Sequence, residues 1–149
     1  MSASSSVYQN YTSFDSKFAI DGIWPVPAEN ATLNIFASDR EDYPWFVWHL
    51  HNRSNVIAIS ITDRFYDIGD NLENIEVRAG TTSIDRNHRG KIEMNDYCGT
   101  FQGPGENKHI YVVMCEKEIV ADYITIQTMN KDSILVISEI EVITKQNGM

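Results

Sequence analysis

Few residues here could do covalent chemistry. The four histidines are His49, His51, His88 and His109, and the two cysteines are Cys98 and Cys115. His49 and His51 would share one face of a strand and could hold zinc. No third ligand stands near them, so they read as strand or surface histidines. There is no serine in a nucleophile elbow, no P-loop and no dinucleotide-type glycine pattern. Paired carboxylates for glycoside hydrolysis remain open on sequence alone. The chain is nevertheless expected not to be an enzyme.

The oxygen donors are more informative. Asp21 to Tyr43 is the longest weakly patterned stretch, with Pro25, Pro27, Asn30, Asn34, Asp39, Arg40, Glu41 and Asp42. A loop of that length in a compact domain is usually functional or stabilised by something other than a core, which makes it the leading candidate for a ligand or metal loop. Cys98 and Cys115 flank a glycine-rich loop holding Gly99, Gly103, Pro104 and Gly105. In an oxidising compartment they would close it as a disulfide; in the cytosol they would be two free thiols. Three sequons, Asn10-Tyr11-Thr12, Asn30-Ala31-Thr32 and Asn52-Arg53-Ser54, add modest weight to the oxidising compartment.

The elements that must position these groups read as strands. Apolar residues alternate at Ile57, Ile59 and Ile61, at Ile75, Val77 and Ala79, and at Ile110, Val112 and Met114. They alternate again at Ile124 and Ile126, and at Ile134, Val136, Ile140 and Val142. Period two marks strands with one buried face. Turn signals separate them at Asp21-Gly22, Gly69-Asp70-Asn71, Gly80, Arg89-Gly90, Gly103-Pro104-Gly105 and Asn130-Lys131-Asp132. No helical stripe competes, so the expected fold class is all-β: an antiparallel β-sandwich or jelly roll. The 149 residues suit one domain, set at 7–145 between a flexible tail at 1–6 and a C-terminal tail at 146–149.

A net charge of −9 without a segregated basic patch argues against nucleic acid and against an anionic membrane surface. No apolar run is long enough to span a bilayer. Met1 to Ser6 has neither the apolar core nor the basic flank of a signal peptide. The chain is then intracellular or lacks its targeting segment, and the sequons and cysteine pair favour the second.

Several segments together resemble the F-type lectins, a family of fucose-binding jelly rolls. They are Ser16 to Gly22, Pro44 to Leu50, Asn71 to Gly80, Tyr97-Cys98-Gly99, Asp122 to Gln127 and Ile137 to Val142, in the family's order and across most of the chain. The resemblance implies a galactose-binding-domain-like sandwich, a Cys98–Cys115 bridge and a structural Ca²⁺. Its ligands would be the side chains of Asp21, Asn34 and Glu139 and the carbonyls of Phe18, Ile23 and Ser138. Two carboxylates, an amide and carbonyls make a hard oxygen cage suited to that ion. A further bridge of the family falls at Ile35 and Ser138, so both its cysteines are missing.

The family's fucose site uses a histidine, a downstream arginine, an aspartate two residues later and a second basic residue five further on. Only Arg64 is kept. Ala37 stands at the histidine, Tyr66 at the aspartate, Asn71 at the second basic residue, and Asp67 and Ile68 at a cysteine pair that packs on the sugar. Losing a positioned donor costs about 1–3 kcal/mol each, enough to erase a shallow sugar site. Arg64 and Tyr66 could still anchor another ligand; Arg64 could equally pair with Asp63, Asp67 or Asp70. Trp45 and Trp48 read as packing residues. The expectation is a secreted or cell-surface recognition module, calcium-stabilised, binding a protein or another glycan at a cell surface or in the extracellular matrix. A working fucose lectin and a structural spacer in a larger ectodomain are the alternatives.

Overall fold

The computed structural model describes residues 2–3, 36–64, 67 and 69–145. Eight strands lie among them: β1 (Ser2–Ala3), β2 (Phe36–Ala37), β3 (Trp45–Thr62), β4 (Ile75–Gly80), β5 (Asp96–Phe101), β6 (Ile110–Thr128), β7 (Val136–Ile137) and β8 (Glu139–Thr144). The larger sheet runs β1-β3-β6-β4-β5, with β8 also on β3; β2 and β7 form the second sheet. Every pairing is antiparallel, and the two sheets make the expected sandwich. Ser2–Ala3, inside the expected N-terminal tail, is strand β1, paired with Val47 and Phe46.

β3 and β6 form a ribbon that folds over. Their register breaks where Leu50–Arg53 stands opposite Asp122 alone, and again where Ile57 faces residues 115–118. Extra residues on one strand bend it and steepen its twist. Arg53 fixes the first break with a fork onto Asp122, Nε to Oδ1 at 3.1 Å and a terminal nitrogen to Oδ2 at 2.7 Å. Both ends of β3 consequently return to one pole. There Thr128 donates to the Pro44 carbonyl at 3.3 Å, and Asp63 donates to that of His109 at 2.9 Å. The chain between the two ends closes the gap: Leu72 N–H reaches the Asp63 carboxylate, and the Asn74 carbonyl accepts from Met129.

The core fills the fold of this ribbon with Phe36, Phe46, Ile59, Ile61, Ile75, Val77, Ile124 and Ile126, all buried. A smaller cluster of Trp45, Val47, Ile84 and Ile92 packs on the other face, where Trp45 Nε1 donates to the His88 carbonyl at 3.2 Å. Trp45 and Trp48 are both packing residues.

Two expected faces are corrected. Ile110, Val112 and Met114 point outward, 53, 53 and 64 % exposed, while Val113 and partly buried Tyr111 and Cys115 face the core. The bridge from Cys115 to fully buried Cys98 sets that phase. At the second break Val56 takes the core position and Ile57 is half-buried. The Cys98–Cys115 disulfide is formed, across a sequence separation of 17.

Candidate functional site

The pole where β3 begins and ends carries the groups of interest. Asp63 follows β3 and is fully buried. Its Oδ1 accepts from the N–H of Arg64 at 2.7 Å and of Leu72 at 3.2 Å, and its Oδ2 from Asn71 Nδ2 at 3.2 Å. Burial pushes the Asp63 carboxyl above the ordinary carboxylate range; these hydrogen bonds and the charge of Arg64 pull the other way. Gly105 lies so close that an added Cβ would run into Asp63 Oδ2, so a side chain there would disrupt the network.

Arg64 turns inward. Its guanidinium donates to the Gly69 carbonyl and to Asn107 Oδ1 at 2.9 Å, and stands 3.9 Å from the exposed Asp67 carboxylate. Asn71 Nδ2, besides Asp63, donates to Asn107 Oδ1 at 2.7 Å. The Gly69 turn needs its glycine, with φ of 69° and Val136 Cγ2 only 2.6 Å from where a Cβ would stand. Ala37 is fully buried in β2, opposite Val136 of β7. Ala37, Arg64 and Asn71 are thus brought to one region through the Gly69 turn and β7. Tyr66 lies outside the described residues.

Beside this network opens a cleft of about 410 Å³, lined by Asp70, Asn71, Glu73, Pro104 and the turn 130–133. Asp70 Oδ2 accepts from Ser133 Oγ at 3.2 Å and from Ile134 N–H at 3.0 Å. Glu73 Oε1 accepts from Asn130 Nδ2 at 3.3 Å, and Asn130 Oδ1 from Asn74 Nδ2 at 2.7 Å. Segment 40–43 backs the turn: Glu41 and Ser133 exchange main-chain bonds at 3.0 and 2.9 Å, and Tyr43 N–H donates to the Asn130 carbonyl at 3.0 Å. Arg40 donates to the Asp132 carbonyl at 2.9 Å. Three carboxylates against the single cation of Lys131 make the cleft acidic, and its acceptors suit hydroxyl, ammonium or amide donors. In sequence, Asp70 and Asn130 to Asp132 showed only as turn residues; their approach depends on how β6 and β7 are joined.

Of the expected calcium ligands, Asp21, Asn34, Phe18 and Ile23 lie outside the described residues. Ser138 and Glu139 are buried where β8 begins, opposite Thr62. Ser138 Oγ has no hydrogen-bond partner among the described residues. The Glu139 carboxylate and the Ser138 carbonyl, the two expected ligands that are described, are oxygen donors of the kind a hard cation takes. No described group joins three or more His, Cys, Asp or Glu as a metal cage. His49 stacks on Tyr123 at 4.6 Å, and His109 Nδ1 lies 2.9 Å from Glu106.

No protein-family model matches the chain, and no curated protein matches its sequence. Solved structures do match its fold. An F-lectin (fucolectin) from striped bass (Morone saxatilis) serum superposes with a TM-score of 0.76 at 18 % identity, over 95 % of this chain and 45 % of that one. The chain thus spans under half the length of that relative. A fucose-binding module of Streptococcus pneumoniae gives 0.67 at 18 % identity, over 97 % of this chain and 89 % of that one. A family 32 carbohydrate-binding module of Clostridium perfringens, solved with galactose, gives 0.69 at 17 % identity, over 95 % and 90 %. These superpositions give this chain the β-sandwich fold of the F-type lectins and of carbohydrate-binding modules.

Proposed function

We propose that this chain is a non-catalytic extracellular recognition module that binds its ligand at the cleft pole by a mode other than the family's fucose mode. One observation carries the reading: the one cation kept from the fucose motif, Arg64, spends its guanidinium on Gly69 and Asn107 within its own fold. The neighbouring positions add nothing in its place, since Ala37 is buried and Asn71 is committed to Asp63 and Asn107. What the pole offers instead is the cleft, with Asp70, Glu73 and Asp132 as acceptors.

A glycan is favoured over a protein because the fold's solved neighbours include modules that bind fucose and galactose. Carboxylates and amides recognise sugar hydroxyls, and the acidity selects neutral or positively charged ligands. The disulfide supports an oxidising, extracellular setting. Calcium belongs to the proposal as a structural ion near Ser138 and Glu139, where it would tie the Asp21-to-Tyr43 stretch to β8.

The test is a glycan array followed by calorimetry. Free L-fucose at millimolar concentration should give no saturable heat. Binding of the array's best ligand should weaken in Glu73→Ala. A saturable fucose isotherm that disappears in Arg64→Ala would overturn the reading.

A further inference from the structure

We propose that Asn52 is a site of N-linked glycosylation. It sits in the first break of the β3–β6 ribbon, where Leu50–Arg53 leave the ladder against Asp122 alone. The main chain there is pushed outward: His51, Asn52 and Arg53 are all exposed. Arg53, the middle residue of the sequon, does not compete for the same space, because its fork onto Asp122 draws it back along the sheet. The sequon's hydroxyl is adjacent, with Ser54 Oγ donating to the Asn52 carbonyl at 2.9 Å. Asn52 therefore stands at an exposed bulge outside the ladder, and the hydroxyl two residues on lies where pairing resumes, at Ser54 opposite Ala121.

The second observation is independent. The Cys98–Cys115 disulfide is formed, and disulfides persist in the compartments through which glycosylated proteins pass. The site is also compatible with the cleft. The ribbon folds over at Leu50–Arg53, while Pro44 and Asp63, at its two ends, lie at the cleft pole. A glycan at Asn52 leaves from the opposite pole and does not cover the cleft. In the step itself, Nδ2 of Asn52 bonds to C1 of the reducing-end sugar of a lipid-linked oligosaccharide. The C1–O bond to the lipid pyrophosphate breaks, and the amide loses one proton as the pyrophosphate leaves.

The experiment expresses the full chain in a secreting eukaryotic cell and maps its peptides by mass spectrometry. Samples are compared before and after peptide-N-glycosidase in heavy-oxygen water. The peptide spanning Asn52 should carry hexose-rich glycan, and enzyme treatment should leave labelled aspartate at residue 52. Asn52→Gln and Ser54→Ala should each abolish that modification while melting close to the deglycosylated parent, since Asn52 is exposed and half-buried Ser54 gives up one bond to an exposed carbonyl. Ser54→Thr should keep it. An unmodified Asn52 peptide overturns the proposal if glycan is found at Asn10 or Asn30. So does secreted protein with the disulfide closed and no glycan at Asn52. Modification that survives Ser54→Ala overturns it as well, because the attachment is then not sequon-directed.

Discussion

Replacing Arg64 by alanine separates a structural arginine from a ligand-binding one. The side chain is 18 % exposed and donates to the Gly69 carbonyl and to Asn107 Oδ1. A hydrogen bond from a charged donor contributes about 1.5–3 kcal/mol net. The two do not add fully. Asn107 Oδ1 keeps its bond from Asn71, and the Gly69 carbonyl can take up water once the guanidinium is gone. The Asp67 contact, at 3.9 Å to a residue 90 % exposed, adds almost nothing. The expected loss is about 2–3 kcal/mol in urea unfolding, seen as a lower midpoint with an unchanged slope. Arg64→Lys, which keeps the charge but cannot reach both acceptors in one plane, should recover less than half of it. Unfolding within about 0.5 kcal/mol of wild type, the usual range for surface substitutions, combined with loss of a ligand isotherm, would refute the reasoning. It would mean that the guanidinium faces a ligand in solution.

Reducing the Cys98–Cys115 bridge should cost about 3 kcal/mol, from the chain entropy of a 17-residue closure; equal unfolding midpoints with and without reductant would contradict this. Burial raises the folded-state pKa of Asp63, so the stability linked to this group is fully present below the ordinary carboxylate pKa and is lost as pH rises through the raised value. The stability of wild type minus that of Asp63→Asn should accordingly fall over that window, whatever constant penalty the swap carries; a flat or rising difference would exclude it. Metal-stripped protein should melt at a lower temperature in chelator than in calcium, and Glu139→Ala should remove the difference; identical curves for the unmutated protein would count against the ion.

The fold was legible because period-two alternation survives wherever one face meets the core, as at Ile75, Val77 and Ala79 and at Ile124 and Ile126. It misled in β6. Tyr111, Val113 and Cys115 are as apolar as Ile110, Val112 and Met114, so the pattern fixes a strand but not which face is inside. A contact across 17 residues, the disulfide, decides that. The site was harder. Arg64 was readable as a partner for a nearby aspartate, and Asp67 is one. Its stronger partner Asn107 lies 43 positions away, beyond any local pattern. The cleft joins two turns that each look like punctuation, because a concavity is a property of how loops meet and no single segment encodes it.

The folded ribbon also fixes how the molecule can be displayed. β8 runs along the second half of β3 and ends with Thr144 opposite Val56, and Lys145 N–H donates to the Asn55 carbonyl at 2.9 Å. Lys145 is therefore close to the bend, on the side away from the cleft pole. A surface coupled through that side would hold the cleft facing the solution, as would a neighbouring module or a sensor chip. Many copies side by side would then point their clefts in one direction, so that weak individual contacts reinforce one another on a dense, multivalent target.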